Sequence, residues 1–149
     1  MAGRHEIGTH GKEGEYGRAL DSRVPTVAEL LREEAATTTQ ERAYLMMLDS
    51  RNRMIRLKQI TTGTLDSVLV HPREVYAPAL EARSASVILA HTHPSGDPTP
   101  SESDITVTRK LSQSGKILGV PLLDHVIVGK CISPSISYYS SMKELGYLE

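Results

Sequence analysis

Apolar residues in this chain come in short blocks whose spacing switches between the helical and the extended period. Met1 to Ser22 are rich in glycine, mixed in charge and nearly free of large aliphatics, which predicts a tail without fixed structure. One domain is expected over 23–149. Thr26 with Glu29 reads as a capping box, and Val27, Leu30 and Leu31 form the apolar stripe of a short helix. Thr37 to Gln40 is a connector. Ala43 to Leu48 predicts a strand, Asp49-Ser50-Arg51-Asn52 a turn, and Arg53 to Thr61 the returning strand of a hairpin. A third short strand is expected over Leu65 to Val70.

Pro72 suits the first turn of a helix in which Val75, Tyr76, Ala79 and Leu80 recur at helical spacing through Ala82. Ser86 to Ala90 is a nearly continuous apolar run, the pattern of a central strand covered on both faces, and His91 and His93 continue it. Ser101 opens another helix, with Ile105, Thr108 and Leu111 inward and Gly115 as the stop. Leu122 to Val128 is a strand interrupted by Asp124 and His125. A last strand near Ile132 to Ser137 and a short C-terminal helix follow. Strands and helices interleaved around one sheet predict a three-layer α/β or α+β domain, a mixed sheet flanked by helices.

Composition narrows the class. The chain has 149 residues, 39% of them hydrophobic, enough for one domain with a real core. Phe and Trp are absent, so aliphatic residues, Met and Tyr must build that core. No apolar run reaches the length of a membrane span, and the N-terminus lacks the apolar region of a secretory signal. Cys131 is the lone cysteine, which excludes an internal disulfide and a cysteine zinc knuckle, and it reads as a packing residue. A soluble, cytoplasmic protein is expected. The net charge of −1 speaks against nucleic-acid binding by charge alone. Arg51, Arg53, Arg56 and Lys58 change face along a strand, and read as a solvated hairpin.

The densest chemistry lies between His91 and Asp104, in the pattern His-x-His-x(7)-Ser-x-x-Asp. Residues two apart on a strand share a face, so His91 and His93 can aim at one point. The prolines of Pro94-Ser95-Gly96-Asp97-Pro98-Thr99-Pro100 limit the turn, and the following helix returns Asp104 in its first turn. Two imidazoles, a carboxylate and an open position are the ligand set of a catalytic zinc site, where bound water has a pKa of about 7. A separate carboxylate must then move the proton, and Ser101 is placed to donate to an oxyanion. Ser101 and Asp104 also suit a plain helix start, and Pro-Ser-Gly-Asp-Pro a plain turn. Neither explains a His-x-His pair at the end of an apolar strand, where unpaired polar groups cost roughly 1–3 kcal/mol each. Asp124 and His125 either bond a ligand histidine or form a buried structural pair. Asp97 reads as a turn residue or as the rim of the site, and His5 and His10 as tail residues.

At these residues the chain resembles the JAMM motif of the MPN+ (JAB1/MPN/Mov34) metalloprotease fold, in which a glutamate precedes His-[Ser/Thr]-His-x(7)-Ser-x-x-Asp. His93-Pro-Ser-Gly-Asp-Pro-Thr-Pro-Ser101 together with Leu123-Asp-His-Val-Ile-Val-Gly129 is similar to the bacterial RadC branch, and the resemblance runs from about Arg23 to Glu149. It implies the MPN/JAB1, cytidine deaminase-like architecture, with zinc held by His91, His93 and Asp104 and with Ser101 as the motif serine. The family glutamate corresponds to Glu41, fifty residues before His91, with Glu74 as the competing base. The implied activity is zinc-dependent hydrolysis of peptide or isopeptide amides in a peptide or protein substrate. The other reading is a metal-binding module acting in DNA repair through partners or nucleic acid. RadC proteins usually carry a helix-hairpin-helix domain, and Met1 to Ser22 offer none, which leaves direct DNA binding weakly supported.

Overall fold

In the computed structural model the described residues are 23–62 and 70–148. In chain order they form helix α1 (Arg23–Thr37), strands β1 (Arg42–Leu48) and β2 (Met54–Thr62), helix α2 (Pro72–Glu81), strand β3 (Ser86–Thr92), helix α3 (Glu102–Leu118), and strands β4 (Leu122–Val128) and β5 (Tyr139–Ser141). The expected tail lies outside the described residues. So does the expected third strand, apart from Val70, which is buried at a bend.

The strands make one mixed sheet in the order β2-β1-β3-β4-β5. β1 pairs antiparallel with β2 and β3, β3 pairs parallel with β4 across the α3 connection, and β4 pairs antiparallel with β5. The hairpin turn is closed by Asp49 Oδ1, which accepts from the Arg51 and Arg53 amides at 2.8 and 2.9 Å, and Asn52 takes φ 59°. Lys58 is buried, so the four basic residues do not form one solvated stripe.

Alternation along β1 and β3 divides the core into two layers. Ala43, Leu45, Met47, Val87 and Leu89 pack with Val75, Tyr76 and Ala79 of α2 and Val107 and Leu111 of α3. Tyr44, Met46, Leu48, Ile88 and Ala90 pack on the other face with Val27, Ala28, Leu31 and Ala35 of α1. Three layers result, as the interleaved pattern predicts.

Several local expectations are corrected. Thr26 lies inside α1 rather than capping it, because the helix already begins at Arg23. Leu80 is 47% exposed, and Val107 takes the inward place expected of Ile105, which is only half-buried. The last strand is β5, not Ile132 to Ser137. In that segment Pro134 lacks an N–H, and the Ser133 and Ser137 hydroxyls bond neighbouring backbone and compete with a ladder. Cys131 is exposed in this loop rather than packed. The C-terminus forms turns, with Leu145 N–H on Ser141 C=O and Gly146 at φ 88°, in place of a helix.

Gly115 is not the stop of α3. The helix runs to Leu118, and Gly119 caps it in the left-handed conformation with its N–H on Gly115 C=O. Gly115 is needed for close approach. A Cβ there would collide with the Tyr76 hydroxyl and stand 2.6 Å from the Val120 carbonyl oxygen. Inside a helix, glycine to alanine ordinarily gains up to about 1 kcal/mol. Here Gly115→Ala is expected to cost about 1–3 kcal/mol. Thermal or urea unfolding checks the sign; a stabilised variant would contradict this packing.

Candidate metal centre

The end of β3 carries both histidines to one place. Ala43 of β1 lies opposite His91, and His125 of β4 lies opposite Leu89, so all three belong to the sheet face covered by α3. The His91 and His93 rings stand edge to face with centres 4.5 Å apart. The Thr92 hydroxyl oxygen, on the other face, accepts the Arg42 N–H at 3.0 Å and fastens the start of β1, beside Glu41, to the end of β3.

The loop after His93 is held by backbone contacts. His93 N–H donates to Val128 C=O at 2.9 Å, Gly96 N–H to His93 C=O at 3.0 Å, and Lys130 N–H to Gly96 C=O at 2.9 Å. Gly96 has φ 91°, and a Cβ on Gly129 would collide with the Gly96 carbonyl oxygen, so both positions require glycine. Asp97 is a turn residue as expected, with Oδ1 accepting from the Thr99 N–H at 3.0 Å and from its hydroxyl at 2.6 Å. Its backbone carbonyl does more. It lies 2.8 Å from His93 Nδ1, and a carbonyl only accepts, so Nδ1 carries a proton and Nε2 is the free nitrogen.

Asp104 arrives through a capping box. Its Oδ2 accepts the Ser101 N–H at 2.7 Å, and Ser101 Oγ accepts the Asp104 N–H at 3.1 Å. The motif serine and aspartate therefore do start a helix. A surface cap would leave its carboxylate in water, whereas Asp104 is buried at 1% exposure. Its Oδ1 lies 3.5 Å from His91 Nδ1 and its Oδ2 3.3 Å from His93 Nε2. Glu41, His91 and His93 form a group that could hold a metal ion, each offering a ligand atom within 4.8 Å of the others. Glu74, the competing base, is not one of that group; it lies in the first turn of α2, with Oε1 3.9 Å from Arg73 Nε.

The donor set fits a cation. His93 Nε2, bare in the neutral ring, faces a carboxylate oxygen, and two acceptors at 3.3 Å repel unless a proton or a metal ion lies between them. Both His91 nitrogens are buried without a hydrogen-bond partner. In a metal-free site a proton shared between the two would relieve the same repulsion. Burial lowers the His93 pKa, but Asp104 and the Asp97 carbonyl outweigh it and raise the ring above its usual value. Burial raises Asp104, and the histidines and the Ser101 amide overcome it and hold the carboxyl down to about 2.

Asp124 and His125, adjacent in sequence, divide between two tasks. Asp124 Oδ1 accepts from the His125 and Lys143 amides, and Oδ2 from the Ser141 hydroxyl, which ties β4 to the C-terminal turn. His125 points the other way, with its ring centre 5.7 Å from that of His91. Thr108 bridges His125 and α3, with Oγ1 2.7 Å from both His125 Nδ1 and the Asp104 carbonyl oxygen. It reads from sequence as an inward core position. The signal that distinguishes it is its place one turn after Asp104 on the same helix face.

Over residues 22–147 the sequence matches the family described as RadC-like JAB domain. The chain belongs to that family. It is 47% identical over 122 residues to a UPF0758 protein of Clostridium novyi (strain NT), an alignment covering 82% of this chain and 51% of the relative. With a UPF0758 protein of Shouchella clausii (strain KSM-K16) it shares 43% over 136 residues, covering 91% of this chain and 56% of the relative. The RadC-like domain thus spans about half the length of the curated relatives it matches. Among its described residues no helix is long and apolar enough to cross a membrane.

Burial pushes the His125 pKa down to about 4, with Asp104 opposing and His93 assisting. His91 is lowered too, by burial first and then by His125, against the pull of Asp104. A depressed pKa contributes stability that is present above the unfolded value of 6.5 and is lost as pH falls toward the folded value. The raised His93 acts in the opposite sense, losing its contribution as pH rises through its folded pKa. Chelator-treated protein should therefore become less stable between about pH 6.5 and 4, with His125 contributing on the order of 3 kcal/mol. Melting temperatures across that window provide the check. A flat profile would mean that these rings are hydrated.

Proposed function

We propose that this domain is a zinc-dependent hydrolase that cleaves a peptide or isopeptide amide in a peptide or protein substrate. The observation that carries the reading is the bare Nε2 of His93 facing the buried Asp104 carboxylate, beside the unpartnered nitrogens of His91. Two imidazoles and a carboxylate suit zinc among the divalent ions, with His91, His93 and Asp104 as its ligands. Held by these residues, zinc would supply Lewis acidity toward a water molecule and a substrate carbonyl.

The remaining work belongs to the chain. Glu41, close to both histidines, takes a proton from water and delivers it to the departing amine nitrogen. Ser101 Oγ accepts from the Asp104 amide, which leaves its own O–H to donate to the oxygen of the substrate carbonyl as charge develops there. The Asp97 carbonyl keeps the His93 proton on Nδ1, so Nε2 stays available. Pro98 and Pro100 flank this loop and restrict its alternatives.

A second reading comes from the grouping of Glu41, rather than Asp104, with the two histidines. If Glu41 is a ligand in addition to Asp104, no carboxylate of this cluster is left to act as base, and the domain serves as a metal-binding module that recruits a partner. A net charge of −1 and the burial of Lys58 make a protein partner a better fit than nucleic acid.

The two readings diverge at one residue. Protein purified without added metal should contain one zinc per chain by elemental analysis, and Asp104→Ala should lose it. Glu41→Gln should keep the zinc and reduce amide hydrolysis by roughly 10²–10⁴-fold. Loss of the metal in Glu41→Gln would establish the second reading, and full activity would transfer the base to Glu74.

A further inference from the structure

Thr108 Oγ1 has one hydrogen, and it goes to the Asp104 carbonyl, which can only accept. In the contact between Thr108 Oγ1 and His125 Nδ1 the ring must therefore be the donor. That places the proton of neutral His125 on Nδ1 and leaves Nε2 as a bare lone pair, buried and without a partner. The neighbouring imidazole is His91, its plane tilted 38° to that of His125. His91 has the complementary deficit. A neutral imidazole must place one N–H, yet both of its nitrogens are unpartnered. At 3.5 Å from Asp104 Oδ1, its Nδ1 makes no hydrogen bond there. The ring centres lie 5.7 Å apart, about half an ångström more than two imidazoles joined by one hydrogen bond would show, so a small approach of the rings makes the bond that both nitrogens lack.

We propose that His125 is a positioning residue for the metal centre: its Nε2 accepts the Nε2–H of His91 and so presents the Nδ1 lone pair of His91 to the cation shared with Asp104. The inference rests on the reading of His91 as a ligand. The proton chain then runs from His91 through His125 and Thr108 to the backbone carbonyl of Asp104. One ligand's main chain thereby fixes the tautomer of another. A tautomer set in advance matters because an imidazole that presents its N–H cannot bind metal until the proton moves.

Nitrogen-15 correlation spectra of the chelator-treated full chain near neutral pH read the tautomers without metal or substrate. His125 is expected as the Nδ1–H form and His91 as the Nε2–H form. His125→Phe keeps a ring in place but removes the acceptor; the His91 signals should move toward a mixture, and zinc affinity should fall about 10–100-fold. His125→Gln, whose amide oxygen can accept, should recover part of both. Thr108→Val should disturb the tautomers of both rings while leaving both imidazoles in place. Finding His91 as Nδ1–H in the wild type, or unchanged in His125→Phe, would overturn the assignment. Should the Phe variant fail to fold, the Gln and Val variants decide by the same spectra. Expected tautomers in a protein that binds no zinc would sink the hydrolase reading alone. Zinc binding with the opposite His91 tautomer would sink this inference alone.

Discussion

The contact between the Asp104 carboxylate and the imidazoles of His91 and His93, at and just beyond the end of β3, governs the rest of this structure. It brings a helix start and a strand end together at a largely buried point, with Asp104 and His91 each 1% exposed and His93 12% exposed. Such a cluster costs free energy to bury unless a cation completes it. The fold supplies the rigidity this demands. β3 is buried along its whole length, between β1 and β4 in the sheet and between helices on both faces. The Asp104 side chain is fixed at the first turn of α3 by reciprocal bonds with Ser101.

The same residues therefore carry structure and chemistry without conflict. Ser101 caps α3 by accepting, which leaves its donor free. Asp97 shapes the loop with its side chain and orients His93 with its carbonyl. Gly129 lacks a side chain, and that permits the segment just after β4 to press against the loop that follows His93. Each case separates a donor from an acceptor, or side chain from main chain, within one residue. The helix-start role of Ser101 and Asp104 is therefore compatible with metal binding at the same residues.

What could be read from the sequence follows from the range of the forces involved. The strands β1, β2, β3 and β4 and the helices α2 and α3 were legible because apolar spacing reports burial locally. The histidine pair and Asp104 were legible because a tight turn keeps them near in sequence. Glu41 was found only by resemblance, since its approach to His91 depends on the β1–β3 pairing fifty residues apart. Gly115 looked like a helix stop, and its real role depends on Tyr76 from another helix. Cys131 and the segment from Ile132 to Ser137 misled because aliphatic residues in a serine-rich loop imitate a strand. Thr108 read as an inward core position, and only its place one turn after Asp104 hinted at a polar role, because its contact with His125 comes from another element.

The placement of Asp124 and His125 shows how a strand buried on both faces serves two sites at once. Consecutive side chains leave the sheet on opposite sides. Asp124 fastens the C-terminal turn against one face, through amides of Lys143 and His125 and the hydroxyl of Ser141. Because one of those amides belongs to His125, the same carboxylate holds the backbone from which the imidazole extends toward His91 on the other face. Loosening the C-terminal turn would thus be felt at His125 and, through Thr108, at Asp104. The C-terminal turn and the histidine cluster are in this way joined through a single peptide unit.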